Sequence, residues 1–201
     1  MNLTKLNRKK ARRLLSLRAH RKKAQAQRKK WHKTKKRGYL KAAKKNSQQA
    51  KRDAAAIRKI NRLIELASRP SPNFRYSEFD CHNGQQVPKA AYSALDHLCR
   101  NYLEPLRDKF GPVGVTSGYR PVAYNASIGG ATSSVHIYDL ADGRNFRMVA
   151  ADVYCARGNP GQWGAFLSDL HPGGLGIYPG SGFVHVDNRQ LAGWPQSRWT
   201  G

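Results

Sequence analysis

Two short apolar runs each carry a polar, metal-capable residue. Asp152 sits in Val149-Ala150-Ala151-Asp152-Val153, and His185 in Phe183-Val184-His185-Val186-Asp187. A carboxylate among small and branched apolar neighbours is costly to bury unless a charged group meets it. His136, in Ser133-Ser134-Val135-His136 behind a Gly-rich turn, is a third candidate. Two histidines and one aspartate are three protein ligands that leave a fourth position for water, the arrangement of a catalytic rather than a structural zinc site. Spacing alone leaves open the plainer reading that these are satisfied core or surface residues. His20, His32, His82, His97 and His171 are assigned no chemistry.

These residues need strands to hold them. Residues 148–154 read as a buried strand with one acid in it. The runs 175–178 and 183–187 are strands joined through Gly180-Ser181-Gly182, a hairpin signature. Residues 113–116 read as a further short strand and 162–170 as a short helix. Leu95, Leu98, Tyr102, Leu103 and Leu106 recur at helical spacing within 87–109, and Gly111-Pro112 closes that helix. Pro105 lies inside the run and predicts a kink or break near Glu104. Helices flanking a small sheet built partly of hairpins make an α+β fold.

Charge divides the 201 residues unevenly. Residues 1–60 hold 24 Lys and Arg against the single acid Asp53, while 61–201 hold 13 against 11. The basicity, and any partner inferred from it, therefore belongs to the first third of the chain. Residues 1–53 form a basic tail of good helix formers too polar to build a core, expected to be disordered or transiently helical. Residues 54–72 follow as an amphipathic helix, with Ile57, Ile60, Leu63, Ile64 and Ala67 on one face, and a stiff linker at Arg69-Pro70-Ser71-Pro72. The globular domain occupies 73–201. No run is long enough and apolar enough to span a membrane, and no apolar stretch follows the N-terminal charges as a secretory signal requires. Cys81, Cys99 and Cys155 are an odd number without a CxxC pair, which reads as buried thiols rather than a disulfide framework or a zinc ribbon.

The order of motifs adds a resemblance. Ser117-Gly118-Tyr119-Arg120, Tyr124-Asn125, Gly129-Gly130-Ala131, Ser134-Val135-His136 and Ala150-Ala151-Asp152 are followed by Gly173-Gly174-Leu175-Gly176-Ile177-Tyr178-Pro179, Phe183-Val184-His185-Val186-Asp187 and Arg198-Trp199-Thr200-Gly201. This series resembles the zinc D-alanyl-D-alanine peptidases, which share a fold with lysostaphin-type murein peptidases and the Hedgehog signalling domain. The likeness covers about residues 80–201 and leaves the basic tail outside. It implies a small, mostly antiparallel sheet with flanking helices, and Zn2+ held by His136, Asp152 and His185. Two features depart from the family. The Asp follows the first His more closely there, whereas Asp152 is sixteen residues beyond His136. A lengthened hairpin turning at Asp142-Gly143 would accommodate the extra residues, with Asp139 or Asp142 as alternative ligands. Relatives also carry a Glu or His just before the last ligand, where Gly182 and Phe183 stand here. Asp187 is then the nearest candidate base, its alternative role being to fix the His185 tautomer.

The resemblance implies hydrolysis of an amide in peptidoglycan stem peptides, by a D-Ala-D-Ala carboxypeptidase or a murein endopeptidase. Arg120 would bind the substrate carboxylate, or else form a structural salt bridge. Ser134 would hydrogen-bond substrate or a ligand, and Tyr178 and Trp199 would pack. The basic tail suits an anionic envelope surface and, alternatively, nucleic acid. A phage-type lysis or virion-associated enzyme, made in the cytoplasm of the producing cell, fits these features. A non-catalytic nucleic-acid-binding or structural virion protein that keeps the fold is the alternative from another class.

Overall fold

Lys, Arg, Ala, Gln and Leu are all good helix formers, and no proline precedes Pro70. The computed structural model, which describes residues 3–140 and 146–201, accordingly shows two long helices, α1 (Leu3–Thr34) and α2 (Arg37–Ala67). They meet at Lys35, whose left-handed backbone (φ 54°) ends α1. The helix read for 54–67 is the C-terminal part of the longer α2, and the basic tail, expected to be disordered or transiently helical, is helical and pairs as an antiparallel hairpin. Two features missing from a simple apolar count hold it. Leu17, Ala50 and Ile57 bury together with Leu14 and Ala54 against them. Asp53 is fully buried and accepts hydrogen bonds from Arg13 Nη1 (3.0 Å) and Ser16 Oγ (2.9 Å), with His20 Nδ1 at 3.1 Å. The Ser16 hydroxyl, aided by Arg13 and His20, holds the Asp53 carboxyl below its ordinary range against the effect of burial. This unit comprises Met1–Ser68, and a second comprises Arg69–Gly201.

In the second unit the helix expected over 87–109 is interrupted. It runs as α3 (Tyr92–Leu98), a wider π turn over Cys99–Leu103, and α4 (Glu104–Phe110). The widening precedes Pro105, which has no N–H to give to the preceding turn, and Gly111 at φ +80° ends α4. Then follow β1 (Val113–Ser117), α5 (Val122–Ser127), β2 (Ala150–Cys155), α6 (Pro160–Asp169), β3 (Gly174–Tyr178), β4 (Phe183–Asp187) and β5 (Ser197–Thr200). The five-stranded sheet has the order β1-β2-β4-β3-β5, antiparallel except for the parallel pair β3/β5. This is the expected α+β architecture, with β5 a strand that its four residues do not announce.

Alternation along the strands divides the sheet into two faces. Ala151, Val153, Val184, Val186 and Leu175 bury into one core with Leu95, Leu98, Leu103, Leu106, Trp163 and Leu167 from the helices. The opposite face is covered in part by Val135, Met148 and Ala150, with Ala192 and Trp194 against them. Cys81, Cys99 and Cys155 are free and buried.

Candidate metal centre

One transverse row crosses the whole sheet. Ser117 pairs with Asp152, Asp152 with His185, His185 with Gly176, and Gly176 with Trp199. Neighbouring strands lie about 4.8 Å apart, so Asp152 and His185 are brought side by side by register alone. His136 comes from a different kind of structure. It sits among turns after α5, and the 118–120 loop fixes it twice. Its Nδ1 lies 2.7 Å from the Gly118 carbonyl, and its own carbonyl accepts the Arg120 N–H at 2.8 Å.

The three side chains converge. His136 Nε2 is 3.1 Å from Asp152 Oδ1 and 3.1 Å from His185 Nδ1, and those two atoms are 3.0 Å apart. Tetrahedral ligands at about 2.0–2.1 Å from a zinc-sized ion stand about 3.3 Å from one another, so the triangle is close to the size that a divalent cation needs. All three residues are buried.

The chemistry of the donor set is the stronger test. Gly118 O can only accept, so His136 Nδ1 carries the proton and Nε2 presents a lone pair inward. His185 Nε2 lies 3.0 Å from Asp187 Oδ2, which fixes its proton outward and leaves the Nδ1 lone pair facing the cluster. Asp152 binds Arg120 Nη2 through Oδ2 at 2.7 Å and offers Oδ1 inward. With both rings neutral, three acceptors point at one another, an arrangement that is repulsive until a cation sits among them. The residues therefore fit a metal. Without metal, a proton takes that place. Burial pulls the His185 pKa down, but its bonds to Asp152 and Asp187 outweigh this and push it up to about 9. Burial lowers the His136 pKa. Burial raises the Asp152 and Asp187 carboxyls, but their histidine partners, with Arg189 for Asp187, hold both well below the ordinary range.

The other expected residues are placed as follows. Asp187 is fully buried behind His185, away from the converging atoms. It accepts from Arg189 N and Nε at 3.0 Å and Nη2 at 2.7 Å. Gly174 lies across from it, where a Cβ would collide with the Asp187 carboxylate. Arg120 is committed to Asp152 and, through Nε, to Ser117 Oγ at 2.8 Å. Ser134 Oγ accepts the His136 N–H at 3.3 Å. Asp139 accepts from Tyr119 OH at 2.9 Å and stands outside the ligand cluster, and Asp142 lies outside the described residues. The sixteen-residue gap is not a strand hairpin in its described parts. Residues 137–140 are turns, and Ile137, Tyr138, Met148 and Val149 anchor its two ends in the protein interior.

The cluster opens into a cleft of about 450 Å³, lined also by Arg120, Ser134, Tyr178, Phe183, Arg189 and Trp199. Arg189 is a residue that sequence reasoning missed. Its signal was its place two positions beyond Asp187, on a turn back toward the same carboxylate.

A profile of the family described as Peptidase M15 matches residues 72–187. The chain is similar to the zinc D-Ala-D-Ala carboxypeptidase of Streptomyces albus G, with 30% identity over 152 residues, 73% of this chain and 55% of that protein. It thus spans about half the length of that curated relative. No solved structure matches the chain.

Proposed function

The chain belongs to the peptidase M15 family, and from that premise we propose that it is a zinc metallopeptidase hydrolysing an amide in peptidoglycan stem peptides. The observation that carries the reading is the convergence of three acceptors, His136 Nε2, Asp152 Oδ1 and His185 Nδ1, with each ring's proton turned outward. Zinc held there supplies a Lewis acid for the scissile carbonyl and makes water acidic enough to attack near neutral pH. The name of the Streptomyces relative supports both the metal and the substrate class.

The chain's own residues divide the remaining work. Asp187 positions His185 rather than acting as the base, since it is buried and already takes bonds from His185 and Arg189. Arg120 holds Asp152 in its ligating orientation through Nη2 and leaves Nη1 for a substrate carboxylate. Ser134, on the cleft wall beside the substrate path, braces the His136 backbone.

The basic hairpin suits an anionic envelope surface that would concentrate the enzyme at the wall. That pairing of a wall peptidase with a cationic unit supports a phage-type lysis or virion-associated role, with synthesis in the cytoplasm of the producing cell. A second reading, a nucleic-acid-binding or structural virion protein without catalysis, draws on the same charge and on the absence of a Glu or His at positions 182 and 183. Digestion of purified murein, with fragments read by mass spectrometry, tests the two. Stem-peptide cleavage supports the enzyme, and the fragment masses separate terminal D-Ala release from cross-link opening. Intact murein with zinc-loaded protein overturns it.

A further inference from the structure

Among the described residues that line it, the cleft has no free carboxylate, and both of its arginines are engaged by aspartates. A further ordered donor lies on β3. In the run Gly174-Leu175-Gly176-Ile177-Tyr178, Leu175 is buried in the helix-covered core and partly buried Ile177 packs against it. By strand alternation the two glycines and Tyr178 face the metal site. Gly176 is opposite both His185 and Trp199. A Cβ there would run into the Trp199 indole nitrogen. The bare position lets the indole lie across the strand. From there its ring comes to 5.1 Å from that of His185, and Nε1 donates to the Tyr178 hydroxyl at 2.7 Å. Tyr178 is further fixed by stacking on Phe183, with centroids 4.5 Å apart, and by Gly201, where a Cβ would meet its ring.

An indole N–H can only donate. The Tyr178 oxygen therefore accepts that bond, and its own proton remains to give. No acceptor for it stands among the described residues, while its ring lines the cleft that holds His136, Asp152 and His185. Accepting one hydrogen bond polarises a hydroxyl and strengthens the one it donates. We propose that Tyr178 is a catalytic residue that donates a hydrogen bond to the carbonyl oxygen of the scissile amide, strongest when that oxygen gains negative charge as water adds to the carbon. Trp199 is its positioning residue. The assignment rests on the peptidase reading and deepens it. It gives a site whose described lining holds no free carboxylate a preorganised, neutral electrostatic stabiliser, which needs no proton transfer of its own.

The test compares the full-length, zinc-loaded wild type with Tyr178→Phe, Trp199→Phe and the double variant on a soluble stem peptide. Binding of a phosphinate peptide that mimics the tetrahedral state and of the product peptide is measured in parallel. We expect Tyr178→Phe to lower kcat by about 10²–10³, with KM and zinc content little changed. It should weaken the phosphinate by a similar factor and leave the product's affinity as it was. Trp199→Phe should cost about tenfold, and the double variant should be no worse than Tyr178→Phe, because the two groups act as one unit. A kcat within threefold of wild type overturns the proposal, as does a rise in KM alone, which would make the hydroxyl a ground-state contact. An inactive wild type overturns the peptidase reading itself, a result distinct from an active wild type indifferent to Tyr178→Phe.

Discussion

Replacing Asp187 with Asn keeps the side chain's shape and removes its charge, which separates a positioning role from a catalytic one. In the native site Asp187 Oδ2 receives His185 Nε2 at 3.0 Å and Arg189 Nη2 at 2.7 Å, while Oδ1 receives Arg189 N and Nε at 3.0 Å. A carboxamide can serve one of these oxygens' partners, but its NH2 must then face a donor. His185 loses its charged partner in either orientation. Loss of tautomer control costs about twofold in metal affinity if the two tautomers become equally populated, and more where the carboxamide NH2 faces His185 Nε2. The larger effect is lower basicity at Nδ1, because Asp187 is one of the two carboxylates that push the His185 pKa up to about 9. Together these match the 10- to 100-fold loss found when the carboxylate behind a ligating histidine is removed, about 1.4–2.7 kcal/mol. Zinc affinity measured by competition with a chromophoric chelator, beside a thermal melt showing that the variant is folded, reads this directly. At saturating zinc, activity should stay within about tenfold of wild type. Unchanged zinc affinity with collapsed activity would instead make Asp187 the general base.

Metal affinity should rise about tenfold per pH unit from near neutrality to about pH 9 and then level off, since His185 must shed its proton before it can ligate; a flat profile would show that no proton is displaced. Asp53→Ala should loosen the helical hairpin, reduce its helical circular dichroism and expose residues 1–68 to protease, while cleavage of a soluble stem peptide is unaffected. Because the Asp53 pKa is lowered on folding, its contribution is present above the ordinary carboxyl range and fades as pH falls through the folded value. In wild type the hairpin's helical signal should therefore weaken below about pH 4. Binding of the full chain to anionic lipid vesicles should fall steeply with added salt, and deleting residues 1–60 should abolish it; salt-independent binding would point away from the basic hairpin.

Much of the metal site was legible in the sequence, because burying a charge requires a reason. Asp152 and His185 stand out within apolar strands, and the strand limits at 175–178 and 183–187 fall within one residue of β3 and β4. His136 was legible only through the wording around it, since a loop has no periodicity and its position depends on Gly118 O and Arg120 N. The gap before Asp152 reads as a hairpin from Asp142-Gly143, a turn that lies outside the described residues; on either side of it Tyr138 and Met148 are buried. The role of Trp199 was hidden because β5 is parallel to β3 and pairs across the chain's end, a contact no local pattern announces. The first sixty residues were legible as good helix formers, and they are helical; what their polarity hid was the pairing of the two helices, which Asp53 and a few alanines and leucines support.

Stem-peptide hydrolysis by this chain is proposed to depend on one zinc ion held by His136, Asp152 and His185. The most direct measurement is a zinc titration of the metal-stripped full-length protein, with cleavage of murein stem peptides followed at each point, beside His136→Ala. Activity should rise in proportion to bound zinc and saturate at one ion per chain, and the variant should neither bind at that site nor cut. Full activity in the metal-stripped protein, or a His136→Ala variant that still takes up its zinc and cleaves, would contradict it.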